Sequence, residues 1–326
     1  MTVLEVRDLH TQLHTRWGIV RAVDGVSFSV SEGETLGLVG ESGSGKTMTA
    51  LSLLRLVPQP AGRIVGGQIL LEGEDLLTKS EREMRKVRGR RISMILQDPQ
   101  TSLNPVFTAG NQIVEALRGQ DAGGGRSLWG QAEDALRRVK VSAPEQRMRD
   151  YPHQMSGGMK QRIVGAIALA GEPRVLIADE PTTALDATIQ LQYLTLLKEI
   201  QARTKLAMLF ITHDFGIVAR MCDRVAVMYA GRIVESGPVR EIFRRPRHPY
   251  TEALMASVPR MDANVERLPS IEGQPPALHR LPVGCRFAAR CRYAEDRCRR
   301  EYPPSFPVGP AHEASCWRLE SSPSSP

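Results

Sequence analysis

Short segments in which apolar and polar residues alternate, Val3 to Leu9, Ala22 to Val30 and Gly67 to Glu72, read as strands separated by glycine-rich turns and predict an antiparallel layer. The apolar run Thr35 to Val39 precedes a glycine-rich stretch and then a helix-like segment, Met48 to Val57. From about Asn111 to Ala170 the spacing turns helical, with Leu128, Ala132, Leu136 and Val139 at near-helical intervals and a Gly123-Gly124-Gly125 loop between. This predicts an inserted helical subdomain at about 98–170. Buried-strand runs return at Val175 to Ala178, Leu206 to Thr212 and Arg224 to Tyr229, with a helical stretch, Ile189 to Ala202, between the first two. Strands alternating with helices imply a parallel sheet, so the expected fold class is α/β. Beyond Pro246 the chain is rich in proline and arginine and holds four of its five cysteines. The composition predicts a main domain over 1–245, a small Cys/Pro-rich C-terminal extension over 246–320 and a disordered tail, Ser321 to Pro326.

The 326 residues suffice for a sizeable core, and an apolar share of 41% is globular. Lys plus Arg, 43, exceed Asp plus Glu, 36, by seven charges. That excess suits nucleic acid, an anionic membrane surface or a solvated arginine-rich face equally well. No apolar run approaches the roughly 20 residues of a membrane-spanning helix; the longest, Ile163 to Gly171, is followed by Glu172 and Pro173. Glu5, Arg7 and Asp8 interrupt the start before a signal-peptide core could form, so the expected compartment is the cytoplasm. There cysteines stay reduced, which favours metal or cluster ligation over disulfides.

The stretch Gly40-Glu41-Ser42-Gly43-Ser44-Gly45-Lys46-Thr47 fits the pattern G-x-x-x-x-G-K-[ST] at every fixed position. Its glycines let the backbone aim successive N–H groups at phosphate oxygens, Lys46 adds positive charge and the Thr47 hydroxyl can ligate magnesium. The helix that follows presents its N-terminal dipole to an anion. A strand before and a helix after are the context such a loop needs, and nucleotide binding follows.

A second glycine motif, Ser156-Gly157-Gly158-Met159-Lys160-Gln161, precedes another helix-like run and forms a second anion-friendly helix N-terminus. Alone it is an ordinary helix cap. Downstream, Val175-Leu176-Ile177-Ala178-Asp179-Glu180 is an apolar strand ending in paired carboxylates. There Asp179 can hold magnesium and Glu180 can polarise an attacking water. With these motifs in this order, the chain resembles the ATP-binding cassette family over about residues 3–240. Gln97 stands at the family's glutamine loop, Thr183-Ala184-Leu185-Asp186 resembles its aspartate loop, and Ile211-Thr212-His213-Asp214 resembles its histidine switch. Trp17 falls where the family places an aromatic that stacks on adenine. The resemblance implies a P-loop NTPase of that type, with an antiparallel β layer, an inserted helical subdomain and the C-terminal extension.

The family signature usually reads Leu-Ser-Gly-Gly-Gln, whereas Met155 and Met159 take its first and fifth places here. Methionine offers no amide hydrogen bond at that point. It resembles the oligopeptide and dipeptide importer branch, as do Gln97-Asp98-Pro99-Gln100-Thr101-Ser102-Leu103-Asn104-Pro105 and Arg247-His248-Pro249-Tyr250-Thr251-Glu252-Ala253-Leu254. Cys285, Cys291, Cys298 and Cys316 lack the close pairs of common zinc sites and the spacing of common ferredoxins, so spacing leaves zinc, an iron-sulfur cluster and free thiols open. The resemblance implies a 4Fe-4S cluster on these four residues. Arg286, Arg290, Arg292, Arg297, Arg299 and Arg300 stand near them in sequence and are expected to lower thiol pKa values, to offset cluster charge or equally to face solvent. Cys222 reads as a small buried hydrophobe.

For the reaction, the resemblance implies ATP hydrolysis with Mg2+: Lys46 and the loop amides on the β- and γ-phosphates, and Thr47, Gln97 and Asp179 around the metal. Glu180 would act on water and His213 on the γ-phosphate. Because the signature of one subunit covers the nucleotide of another, it also implies a second cassette subunit, expected to be a sister protein. Ser156, Gly157, Gly158 and Asp186 would serve that shared site. Two integral membrane permease subunits and a separate substrate-binding protein complete the expected importer, on the cytoplasmic face of the inner membrane. The transported solute, peptides by family default, is not written in this chain. The rival reading is a soluble cassette ATPase acting on nucleic acid or ribosomes. Such proteins usually hold two cassettes or a long coiled coil, and neither is present, so no nucleic-acid partner is expected.

Overall fold

The computed structural model describes residues 1–118, 127–257 and 271–320. Its strands are, in chain order, β1 (Thr2–Thr15), β2 (Gly18–Ser31), β3 (Thr35–Val39), β4 (Gly62–Leu71), β5 (Glu74–Asp75), β6 (Ile92–Ile95), β7 (Val175–Asp179), β8 (Ala207–Ile211), β9 (Arg224–Tyr229), β10 (Arg232–Pro238), β11 (Phe306–Gly309) and β12 (His312–Ala314). Contacts gather the chain into two units, one of Met1–Leu4, Val30–Glu34 and Leu70–Phe210, the other of Glu5–Ser29, Thr35–Ile69 and Ile211–Pro326. The Gly123-Gly124-Gly125 loop and the Ser321 to Pro326 tail lie outside the described residues.

In the unit that carries the phosphate loop, β2, β1 and β4 adjoin in that order in one sheet, and β11, β12, β10, β9 and β3 adjoin in that order in another. β3 runs parallel to β9, Leu36 opposite Arg224 and Val39 opposite Val227. Every residue of β3 is buried, so the strand is apolar throughout rather than alternating. The parallel pairing expected of the buried runs is present, but strands that the sequence does not mark make the sheet mixed: β9 and β10, β10 and β12, and β12 and β11 all pair antiparallel. The reason lies in the chain's last part. Residues 306–314 return as a hairpin whose Ala314 pairs with Glu235, and contacts place this segment in the same unit as the loop. Glu235, 1% exposed, anchors the return, its carboxylate accepting from the backbone N–H groups of Arg247 at 2.7 Å and His248 at 2.9 Å and meeting His312 Nε2 at 2.8 Å. A buried carboxylate with this many partners is satisfied rather than costly.

The other unit holds β8, β7 and β6 side by side, with β6 parallel to β7. Its helices include Ala109–Arg118, Leu128–Arg138, Gly157–Leu169 and Ala187–Thr204. Ala132 and Leu136 are buried from the second of these, Ile113 and Leu117 from the first, as the helical spacing of apolar residues requires. Ser127 caps Leu128–Arg138, accepting from the Gly130 N–H, and Asp186 caps Ala187–Thr204. Elsewhere the helix expected over Met48 to Val57 runs instead from Lys46 to Leu53. It stops early because Arg55 adopts a left-handed φ of 52° and Leu56 N–H turns back to the Leu51 carbonyl.

Candidate functional site

The loop after β3 is held open by two glycines whose backbones no other residue would tolerate. Gly40 and Gly45 have φ of 151° and 108°, and a Cβ would run into the Met228 carbonyl at the first and the Ala22 carbonyl at the second. Gly45 is the N-cap of the helix Lys46–Leu53. Lys46 is buried, and its Nζ donates to the Gly40 carbonyl at 2.8 Å and the Glu41 carbonyl at 3.0 Å, which folds the cation over the loop. Ser44 N–H donates to the Glu41 carbonyl, and Gly231 N–H donates to the Ser44 carbonyl at 2.8 Å. Ser42, Gly43 and Thr47 are exposed, with Thr47 in the first helical turn.

The Glu41 amide departs from expectation. The sequence counts it among the loop donors, but it donates to the Tyr250 hydroxyl at 2.9 Å. The Glu41 carboxylate accepts from both terminal nitrogens of Arg290, at 2.7 and 2.9 Å. Sequence reading missed this pair, because 249 residues separate its members. In the same unit His213 is exposed one residue before Asp214, which caps the helix Phe215–Met221 by accepting from the Gly216 and Ile217 N–H groups. Trp17 sits 69% exposed between β1 and β2 with the Arg16 guanidinium 4.7 Å from its ring centroid, a face open to stacking.

In the other unit, β7 delivers two carboxylates in different states. Asp179 is 2% exposed, while Glu180 is half-buried with a left-handed φ of 45°. A non-glycine residue in that region stores strain and is typical of functional positions. Glu180 Oε2 accepts from Gln97 Nε2 at 3.0 Å and from Thr183 Oγ1 at 3.1 Å. Two sequence-predicted residues, Gln97 and Glu180, thus meet directly, and Thr183, named only as the start of the aspartate-loop stretch, joins them. Ser156 is the N-cap of Gly157–Leu169, accepting from the Met159 N–H, and Gly157 stays exposed. A Cβ on Gly158 would lie 2.7 Å from Ile189 Cγ2 in the helix that Asp186 caps, so small size at Gly158 lets the two capped helix starts approach.

The four C-terminal cysteines do come together: Cys285, Cys291, Cys298 and Cys316 all line one cavity, and Cys285 N–H donates to the Cys298 carbonyl at 2.7 Å. That cavity offers about 20 Å³, room for about one water molecule. Among the described residues no three His, Cys, Asp or Glu side chains stand in a metal-holding arrangement. Burial pushes the Cys285 thiol up to about 11 and raises Cys291 and Cys316 as well, so these thiols are neutral with no metal ion bound. As they stand, these residues do not fit a 4Fe-4S cluster. Arg292 and Arg318 pull the Cys291 thiol down without cancelling the shift, while Arg286 turns to Asp24 and the Ala230 carbonyl, and Arg290 to Glu41. Cys222 is buried as expected.

Residues 23–183 match the model of a family described as ABC transporter, and residues 234–298 match one described as oligopeptide/dipeptide transporter, C-terminal region. A probable peptide ABC transporter ATP-binding protein of Sinorhizobium fredii is 51% identical over 97% of this chain and 95% of its own length. An oligopeptide transport ATP-binding protein of Bacillus subtilis is 48% identical, over 97% of this chain and 89% of its own. A dipeptide transport ATP-binding protein of the same organism is also 48% identical, over 97% and 94%. Among solved structures, an ATP-binding cassette captured as a dimer after hydrolysis, bound to ADP and Pi, superposes with a TM-score of 0.64 and 25% identity over 73% of this chain and 99% of that one.

Proposed function

The chain belongs to the ABC transporter family, and on that premise we propose that it is the ATP-hydrolysing subunit of an importer for di- and oligopeptides or related small solutes. It carries the ATPase cassette of that family. The observation that carries turnover, beyond nucleotide binding, is Glu180: a strained carboxylate at the end of a buried strand, held by Gln97 and Thr183. The soluble reading on nucleic acid or ribosomes loses its support, because relatives aligned over 97% of the chain are named for peptide transport.

Phosphoryl transfer to water is a matter of positioning and charge. Lys46 and the loop amides hold the β- and γ-phosphates, with Gly40, Ser42, Gly43, Ser44 and Gly45 shaping the cradle. Trp17 stacks on the base. Glu180 orients the attacking water and accepts its proton, within the hydrogen-bonding reach a general base needs, and His213 contacts the γ-phosphate. The Thr47 hydroxyl, Gln97 carbonyl and Asp179 carboxylate are hard oxygen donors that would hold Mg2+, which would supply charge neutralisation at the phosphates. Gln97 can serve both ends, because its amide nitrogen is turned to Glu180 and its oxygen is left for the metal.

Ser156, Gly157, Gly158 and Asp186 stand at two helix N-termini, which supports a role in covering the nucleotide of a second cassette. That cassette is a sister protein in this reading, and the pair works beneath two permeases fed by a substrate-binding protein. Among the described residues no helix is long and apolar enough to cross a membrane, so attachment to the inner face runs through the permeases. The cassette spans 1–245 with its helical subdomain at about 98–170, followed by the extension over 246–320. A 4Fe-4S cluster in that extension rests on the convergence of four thiols alone, against the small cavity, and no step passes through it. Iron and sulfide analysis of anaerobically purified protein checks it.

The test of the function is the complete importer in proteoliposomes. ATP-driven uptake of a labelled peptide is expected, and Glu180→Gln should keep ATP binding while losing hydrolysis and uptake together. Undiminished uptake with that variant overturns the assignment.

A further inference from the structure

The phosphate loop carries its own negative charge. Glu41 is the second residue of a loop shaped for a polyanion, and an unpaired carboxylate there would oppose a bound triphosphate. The carboxylate is not unpaired. Arg290, from the cysteine-bearing segment, makes a two-pronged ion pair with it at 2.7 and 2.9 Å, with side-chain exposures of 4% for Arg290 and 26% for Glu41. Planar two-pronged geometry makes this pair stronger and more directional than a surface contact.

The arginine is itself held on several sides. Its Nη1 donates to the Tyr229 hydroxyl at 3.3 Å, its Nε to the Glu272 carbonyl at 3.0 Å and its Nη2 to the Ile271 carbonyl at 3.2 Å. Beneath it Tyr229, Tyr250 and Phe287 pack ring to ring, with centroids 4.5 to 5.4 Å apart. Tyr250 then reaches the Glu41 amide. Both the charge and the backbone of Glu41 are therefore governed by residues about two hundred or more positions downstream.

From this geometry we propose that Arg290 is a positioning residue for the phosphate loop: by neutralising and aiming Glu41, the C-terminal segment sets the affinity of the loop for the nucleotide's phosphates. The inference rests on ATP binding at that loop. It assigns the segment a part in the ATPase itself, since Arg290 lies in the short turn between Cys285 and Cys291 and cannot be displaced without releasing Glu41.

The test uses the full chain, a fluorescent ATP analogue with magnesium, and the variants Arg290→Gln, Glu41→Gln, the two combined, and Arg290→Lys. Arg290→Gln leaves a carboxylate facing the phosphates, and its Kd should rise about tenfold, equivalent to about 1.4 kcal/mol. In steady-state hydrolysis by the assembled importer the loss should appear in KM rather than kcat. The combined variant, with that carboxylate gone, should recover to within roughly threefold of the starting protein, and Arg290→Lys, which keeps the charge, should lie between. A purely structural role predicts the reverse, with the combined variant as weak as Arg290→Gln or weaker. That result overturns the proposal, as does an Arg290→Gln protein that binds like the parent. If the parent itself binds no nucleotide, the functional reading falls first and takes this inference with it. Melting curves of each variant with and without nucleotide separate lost affinity from lost folding.

Discussion

Thr183 offers the sharpest test of how Glu180 is held. The Glu180 Oε2 atom accepts from Gln97 at 3.0 Å and from Thr183 at 3.1 Å, and the residue's backbone sits in a strained left-handed conformation. Replacing Thr183 by Val keeps the branched shape and removes the hydroxyl donor that Glu180 accepts from. A hydrogen bond to a charged group contributes about 1.5–3 kcal/mol when buried. Thr183 is exposed, so water replaces part of the loss and about 1 kcal/mol remains. Spent wholly on the positioning of the base, that energy lowers kcat about fivefold. The affinity for ATP should not change, because the side-chain hydrogen bonds of Thr183 run to Glu180, the proposed base, which holds no phosphate. Phosphate release at saturating ATP, paired with nucleotide titration, measures both quantities. A Thr183→Val protein with parental kcat would show that Glu180 needs no second donor. A loss confined to ATP affinity would show that Glu180 does not act as the base.

Two more outcomes follow from the geometry. Gly45→Ala places a Cβ against the Ala22 carbonyl at a φ of 108°, and should cost about 2–4 kcal/mol in urea unfolding and abolish ATP binding. Gly43→Ala, where nothing lies within 4 Å of the added carbon, should cost only about 1 kcal/mol. His248 is fully buried, its Nδ1 accepting from the Tyr250 N–H at 3.0 Å, and burial lowers its pKa from 6.5 to about 4. The unfolded chain therefore takes up a proton first as pH falls, so this contribution is intact above pH 6.5 and drains away toward pH 4, by up to about 3 kcal/mol. Chemical denaturation across that range, compared with His248→Asn, measures it; equal acid sensitivity in the two proteins would remove His248 as the cause.

The sequence shows the local features plainly. Short-range patterns place β3, β7, β8 and β9 within a residue of where they stand, because a buried strand between helices must be apolar from end to end. The Ser156 cap is legible because a cap is a property of four neighbouring residues, whereas the cap at Asp186 goes unmarked and starts its helix two residues before the expected Ile189. Reach defeats the pattern. The alternation of β1 and β2 understates strands of 14 residues each, as polar positions near their ends lengthen them without adding to the core. No periodicity announces that Arg290 will choose Glu41, or Arg286 Asp24, whereas Arg292, Arg297, Arg299 and Arg300 are exposed, one of the alternatives the sequence leaves open. Partner choice across two hundred residues is decided by the finished packing alone.

The pairing of β10 with β12 has a practical corollary for anyone wishing to express the nucleotide-binding portion alone. Truncation near residue 245 looks natural from composition, yet it would strip away the hairpin that covers one side of β10 and leave a bare row of amides and carbonyls. An uncovered border of that sort recruits other chains and drives precipitation. Soluble material should therefore require the chain through Glu320, and a shortened version should aggregate before its catalytic residues can be assayed.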